Sequence, residues 1–216
     1  MLQLTLTEKA EAMDTTQFSH QHAIEVLETD RCKYLLEEIF DVINEIDDAA
    51  IIKKFSTLPP AKSISRALND LLKAGLVARG WEAESPIFQA KGYKGQKWRL
   101  DFAKETISIE IAFNHGEAIP WNLLKPVMAS QLNHIEKAIQ TEVGVVICAT
   151  KAMKRAGNFD SAVGEYEKFL KYFQPMQAVL PTPILLIGLD APKSFHVKGK
   201  VTNGHNKGSV VMHENY

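Results

Sequence analysis

The sequence predicts a mixed α/β fold, a central sheet flanked by helices, with a helical N-terminal region. Three observations predict it. Residues 20–54 carry apolar side chains at helical spacing, residues 96–113 alternate as a β-hairpin, and two short apolar runs, GVVICAT and PILLIGL, follow with helical segments between them. Hairpin, helix, strand, helix and strand in that order place helices on both faces of one sheet.

The first block repeats Ile24, Leu27, Tyr34, Leu35, Ile39, Val42, Ile43 and Ile46 three and four residues apart, and its other side bears Glu37, Glu38, Asp41 and Glu45. An acidic amphipathic helix of this kind is a packing element. Leu58-Pro59-Pro60 ends it, because proline cannot continue a helix. Residues 63–78 form the next amphipathic helix, with Ser63 as its expected N-cap, and it stops at Gly80-Trp81. In the hairpin, QKWRLDF leads through the turn AKET into ISIEIAF. Ile107, Ile109, Ile111 and Phe113 then share one face, and Ser108, Glu110 and Ala112 share the other. Residues 122–141 read as a helix, KAMKRAGNFDSAVG as a basic loop, and 165–173 as a short helix. From about residue 198 the chain is polar and is expected to be a mobile tail.

The bulk composition narrows the function. The 216 residues are 45% hydrophobic and 24% charged, as in ordinary folded chains. No apolar run has the length of a membrane span, and the N-terminus lacks a signal peptide's basic start and apolar block. The expected compartment is the cytoplasm, with Cys148 a reduced core residue inside its apolar run. Net charge is −1, but residues 1–50 hold 12 acids and 3 bases while residues 51–216 hold 14 acids and 22 bases. The basic part, clustered around Lys91–Lys104 and Lys151–Arg155, can meet phosphates while the acidic flank keeps the total near zero. No GK[ST] phosphate loop and no Ser-His-Asp arrangement is present. HQH at 20–22 has no third ligand at useful spacing.

The residues that carry chemistry are Asp101 and Glu110, one on each hairpin strand, with eight residues between them. Two hard carboxylates meeting at one point suit Mg²⁺, which keeps several waters and also binds substrate phosphate. Glu110 lies within an apolar strand, where a solvated charge is out of place, and basic residues flank the pair.

With these features the chain resembles the BglII/BstYI group of type II restriction endonucleases, within the PD-(D/E)xK nucleases. The matching pieces run from about residue 68 to 191. They are the helix ending in Gly80-Trp81 with Glu84 three residues on, Asp101 with Glu110, EIAFNHG, the strand ending in Thr150-Lys151, RAGNFDS, and PILLIGLDAP. The resemblance implies a single restriction-endonuclease-like domain: a helical region at 1–58, a catalytic core at 59–197 and the tail at 198–216. It implies a homodimer that hydrolyses a short palindromic double-stranded DNA site with Mg²⁺, as part of a restriction–modification system. Asp101 and Glu110 would hold the metal, and Glu84 would be an auxiliary ligand or water-orienting group. Asn114 and His115, then Asn158, Asp160 and Ser161, fall where the family reads bases. Lys151, Lys154 and Arg155 are expected to meet DNA as a basic cluster beside that loop.

One position departs from the pattern. Two residues after the glutamate the family usually has Gln, Glu or Lys, and here it has Ala112. The role has moved, to Glu84, Asn114 or Lys104, or the chain binds DNA without cutting, or Ala112 is a substitution that blocks cleavage. A separate possibility is a winged-helix regulator using residues 63–78, although that stretch has few bases on its second half and leaves the α/β part unexplained.

Overall fold

A computed structural model describes residues 12–131, 136–202 and 205–214. The strands are β1 (Thr15–His20), β2 (Glu82–Pro86), β3 (Arg99–Lys104), β4 (Ile107–Ala112), β5 (Val143–Ala149), β6 (Ile184–Leu189), β7 (Phe195–Thr202) and β8 (His205–Met212). The helices are α1 (Ala23–Leu27), α2 (Lys33–Asn44), α3 (Asp48–Thr57), α4 (Ser65–Ala78), α5 (Ile119–Gln131), α6 (Lys151–Ala156) and α7 (Tyr166–Phe173). The first six strands form one sheet in the order β1-β6-β5-β4-β3-β2. Its centre, β4-β5-β6, is parallel, and β1, β3 and β2 run antiparallel to their neighbours.

The expected α/β architecture is present. β5 and β6 are buried along their whole length, as continuous apolar runs require when both faces are covered. On one face Ile107, Ile109, Val145 and Ile187 pack with α1, α2 and α4. On the other, Ala112, Val146 and Leu186 pack with Ile119, Leu123 and Phe169 of α5 and α7.

Several local expectations change. The long N-terminal helix is three helices, the third capped by Asp47, whose side chain accepts from the Ala50 N–H at 2.6 Å. Strands β1 and β2 are short and have few apolar residues, so alternation did not mark them. Helix α4 starts after Ile64; Ser63 contacts the Ser65 hydroxyl and does not cap. The basic segment after β5 opens as α6, because the Thr150 hydroxyl accepts from the Met153 N–H at 3.1 Å. The 122–141 helix ends at Gln131, and residues 137–138 bond to 87–89. Residues 198–202 belong to β7, paired with β8, so the described part of the expected tail is a hairpin. Residues 132–135, including His134, lie outside the described residues.

One contact sets the height of α5 above the sheet. A Cβ on Gly144 of β5 would stand 2.5 Å from Pro126 Cβ and 2.8 Å from Pro126 Cγ. The helix lies this close only because residue 144 has no side chain, and Lys125 precedes the proline that makes the contact. Gly144→Ala is therefore expected to cost about 1–3 kcal/mol through overpacking against a rigid ring, measured by chemical denaturation.

Candidate active site

Strands β3 and β4 pair through Lys104–Ile107, Ala103–Ser108 and Phe102–Ile109, and there the ladder stops. In the same register the next rung would join Asp101 to Glu110. Side chains take over from the backbone at this point. The Asp101 N–H donates to Glu110 Oε1 at 3.3 Å, and the Ile111 N–H donates to Asp101 Oδ2 at 2.7 Å. Each carboxylate thus satisfies an N–H of the opposite strand, which keeps these buried donors paired. The β2–β3 ladder has a similar gap. Ala83 pairs with Phe102 and Ser85 with Leu100, and Glu84, between them, has φ +55°. Asp101 therefore stands between two open rungs, with an acid on either side.

The two carboxylates differ in access. The Glu110 side chain is 1% exposed, and that of Asp101 is 33% exposed. Burial pushes Asp101 above the ordinary carboxylate range, with Glu84 adding to the rise while Lys125 and the Ile111 N–H oppose it. Burial, and then Asp101, push Glu110 well above its usual value against the pull of Lys125. Both shifts mean that negative charge is concentrated here with too little water to screen it.

Lys125 answers that charge, and it was not singled out from the sequence. It reaches down from α5 with its side chain 9% exposed, and its ammonium lies 2.6 Å from Glu110 Oε2 and 3.8 Å from Asp101 Oδ1. A signal did exist: Asn122, Lys125, Pro126 and Ala129 form the buried face of α5, so a lysine stands where helical periodicity calls for an apolar residue.

Asp101 opens into a cleft of about 290 Å³, lined also by Asn69, Lys73, Glu84, Ile111 and Asn114. The structure thus brings together Asp101, Glu110, Glu84 and Asn114. Asn114 is exposed, and its Oδ1 accepts from Asn122 at 3.1 Å. Lys104 does not join them: its ammonium donates to Glu38 at 2.8 and 2.9 Å and to the Arg79 carbonyl at 2.8 Å. Ala112 is buried among the apolar side chains under α5.

The expected base-reading residues sit on adjoining segments. His115 bridges to Val163, and the Gly116 N–H donates to the Ala162 carbonyl at 2.7 Å, so the end of β4 is tied to the loop of residues 158–164. Asp160 and Ser161 are exposed on it. Asp160 is held below the ordinary carboxylate range by the Ala162 N–H and Lys62. Asn158, at φ +53°, donates to the Lys62 carbonyl at 2.9 Å. Lys151 and Arg155 are exposed on α6 beside this loop. Lys154 is turned inward, donating to the carbonyls of Ser161 and Val163 and to Glu165 at 2.7–2.8 Å. It shapes the loop, and in this structure its charge is already matched.

Among the described residues no group of three or more His, Cys, Asp or Glu is placed to hold a metal. The donor set is two carboxylates beside an open cleft. That fits Mg²⁺, which takes one or two carboxylates and fills its remaining positions with water and substrate oxygens, better than it fits a metal enclosed by protein.

Comparison with known proteins agrees with this geometry. A crystal structure of restriction endonuclease BglII complexed with a DNA 16-mer is similar over 93% of this chain and 100% of that one, with TM-score 0.63 and 16% identity. Free BglII is similar over the same shares, with TM-score 0.52 and 19% identity. At such identities the likeness is one of fold. No curated protein matches the chain. The model of the family described as restriction endonuclease BglII/BglIII matches residues 15–189, from the first residue of β1 to the last of β6. The match spans the whole central sheet, including the open rung and the loop beside it, and the chain belongs to the BglII/BglIII family of restriction endonucleases.

Proposed function

We propose that this protein is a Mg²⁺-dependent type II endonuclease that hydrolyses one phosphodiester per strand at a short palindromic site in double-stranded DNA, acting as a homodimer. The observation that carries the proposal is the Asp101–Glu110 pair, held across an open rung by each other's backbone N–H groups and facing a cleft. Asp101 and Glu110 would hold the metal, which when bound supplies positive charge at the phosphate and a more acidic water. Glu84, opposite Asp101 in register and in the left-handed region, is the auxiliary acid, aimed at the same water. A two-fold symmetric site calls for a two-fold symmetric protein.

Asn114, His115, Asn158, Asp160 and Ser161 would form the base-reading edge. Asn suits adenine's acceptor and donor, and Asp accepts from cytosine's amino group. Lys151 and Arg155 would meet phosphates, with Lys154 holding the loop in shape. Ala112 favours one second reading, a chain that binds the same site without cutting it.

A plasmid library incubated with the protein and Mg²⁺ should give discrete fragments whose ends share one palindrome. Glu110→Gln should lower the cleavage rate by about 10²–10³-fold. Protection of one site without cutting would support the second reading, and neither cutting nor site-specific binding would sink both.

Arg155→Ala should weaken binding to every duplex alike and reduce the slope of log K against log salt by about 0.9, as for one lost phosphate contact. A fluorescence anisotropy titration at several salt concentrations measures this.

The raised Asp101 pKa has a defined sign. The folded chain holds this proton more tightly than the unfolded one, so ionisation costs stability. The cost is absent below the ordinary carboxylate range, sets in as pH rises towards the folded value, and is complete above it. Asp101→Asn keeps an oxygen for the Ile111 N–H and removes the charge. At neutral pH without metal it should raise Tm by roughly 1–4 °C. Mg²⁺ should raise the Tm of the unsubstituted chain more than that of the variant.

A further inference from the structure

Position 112 is the family's place for a side chain that handles the attacking water, and here it bears a methyl group packed beneath α5 with Leu123. Glu110 and Ala112 project to the same face of β4, the face that α5 covers. Lys125 enters from that helix, and its ammonium touches Glu110 and lies near Asp101. Among the described residues its hydrogen-bond acceptor is Glu110 Oε2. An ammonium has three protons, so donors remain for a water or a phosphate oxygen. Other lysines near the pair do not meet this description: Lys104 is bound to Glu38 and Arg79, and Lys73 lies on the far wall of the cleft, on α4.

We propose that Lys125 is the third catalytic group of the Asp101–Glu110 centre, supplying from α5 the donor that residue 112 cannot supply from β4. This rests on the nuclease reading given above and goes beyond it, since it makes the chain a cutting enzyme despite Ala112. The water oxygen forms the new bond to phosphorus, and the ester bond to one sugar oxygen breaks. The water's proton leaves to solvent, and the departing sugar oxygen takes a proton from solvent. The Lys125 ammonium stays protonated throughout. It donates to the attacking water and to a non-bridging phosphate oxygen, orienting the first and offsetting the charge that gathers on the second. Before DNA arrives, the same ammonium is the counter-ion that lets two buried carboxylates face each other.

The placement explains the tight seating of α5. Gly144 admits Pro126 to the sheet surface, which sets the depth to which the neighbouring Lys125 can reach. A lysine serving only as a surface charge would need no such approach.

The test uses the full chain, Mg²⁺, and DNA carrying the cleaved site, under single-turnover conditions. K125M keeps the stem and removes the charge. It should cut at least about 100-fold more slowly, while affinity for the same DNA measured with Ca²⁺ changes by less than about threefold. Adding a lysine at the vacant position in K125M, as A112K/K125M, should recover at least about tenfold of the lost rate, which a merely structural lysine would not allow. K125R retains the positive charge against Glu110 with a different donor geometry, so it should fold and still cut at least about tenfold more slowly. It therefore decides the matter if K125M does not fold.

Cutting by K125M or K125R within about threefold of the unsubstituted rate overturns the proposal. So does an unsubstituted chain that binds the site and binds Mn²⁺ by calorimetry yet never cuts. Failure of the nuclease reading looks different: no site-specific DNA binding, and no Mn²⁺ binding that Asp101→Asn abolishes.

Discussion

Two carboxylates facing each other across the end of a β-ladder repel, and burial makes the repulsion costly. In this protein the geometry persists because three sources of positive charge or partial charge converge on it. The Asp101 and Ile111 N–H groups turn inward to the opposing side chains, and Lys125 closes the arrangement from above. The remaining architecture keeps those groups in register. β4 and β5 run parallel through the rungs from Ile107–Val143 to Ala112–Cys148, fixing Glu110 deep in the sheet. α5 crosses β3, β4 and β5, with its buried face presenting Asn122, Lys125 and Pro126.

A buried ion pair of this sort is weak support for stability, since desolvating both partners costs about as much as their attraction returns. Apolar residues of the same volume would pack there at no electrostatic cost. A centre that retains two acids and a lysine under a helix is therefore a site that trades stability for local charge, the usual compromise where chemistry is done. The opening of both ladders at Asp101 belongs to the same compromise. Backbone pairing is given up at the rung with Glu84 and at the rung with Glu110, and side chains on those strands are left to face a cleft.

The rest of the proposed DNA-facing surface is arranged by ordinary local rules. Thr150 caps α6 and so aligns Lys151 and Arg155 along one exposed turn. Lys154, inside the loop, gathers the Ser161 and Val163 carbonyls, which leaves Asp160 and Ser161 outside. The bridge from His115 to Val163 then joins this loop to the end of β4. Among the described residues no helix is long and apolar enough to cross a membrane.

Period and apolar continuity in the sequence determined the fold class, the buried strands β5 and β6, the β3–β4 hairpin, and the facing of Asp101 and Glu110 across it. These are properties of neighbours along the chain, and alternation or helical repeat reports them directly. β1 and β2 escaped because edge strands with one dry face and few β-branched residues carry little such signal. The boundaries of α5 and α6 escaped because caps and returning backbone pairs, more than composition, decide where a helix starts and stops. What only the tertiary structure decided is the group that completes the carboxylate pair. Along the chain Ala112 leaves that place vacant and suggests Lys104 or Asn114. In space Lys104 is bound to Glu38, and Lys125 arrives from a helix that can lie low enough only where Gly144 lacks a side chain. Contact between a helix and a strand 19 residues further on depends on packing depth, which no repeat within either segment encodes.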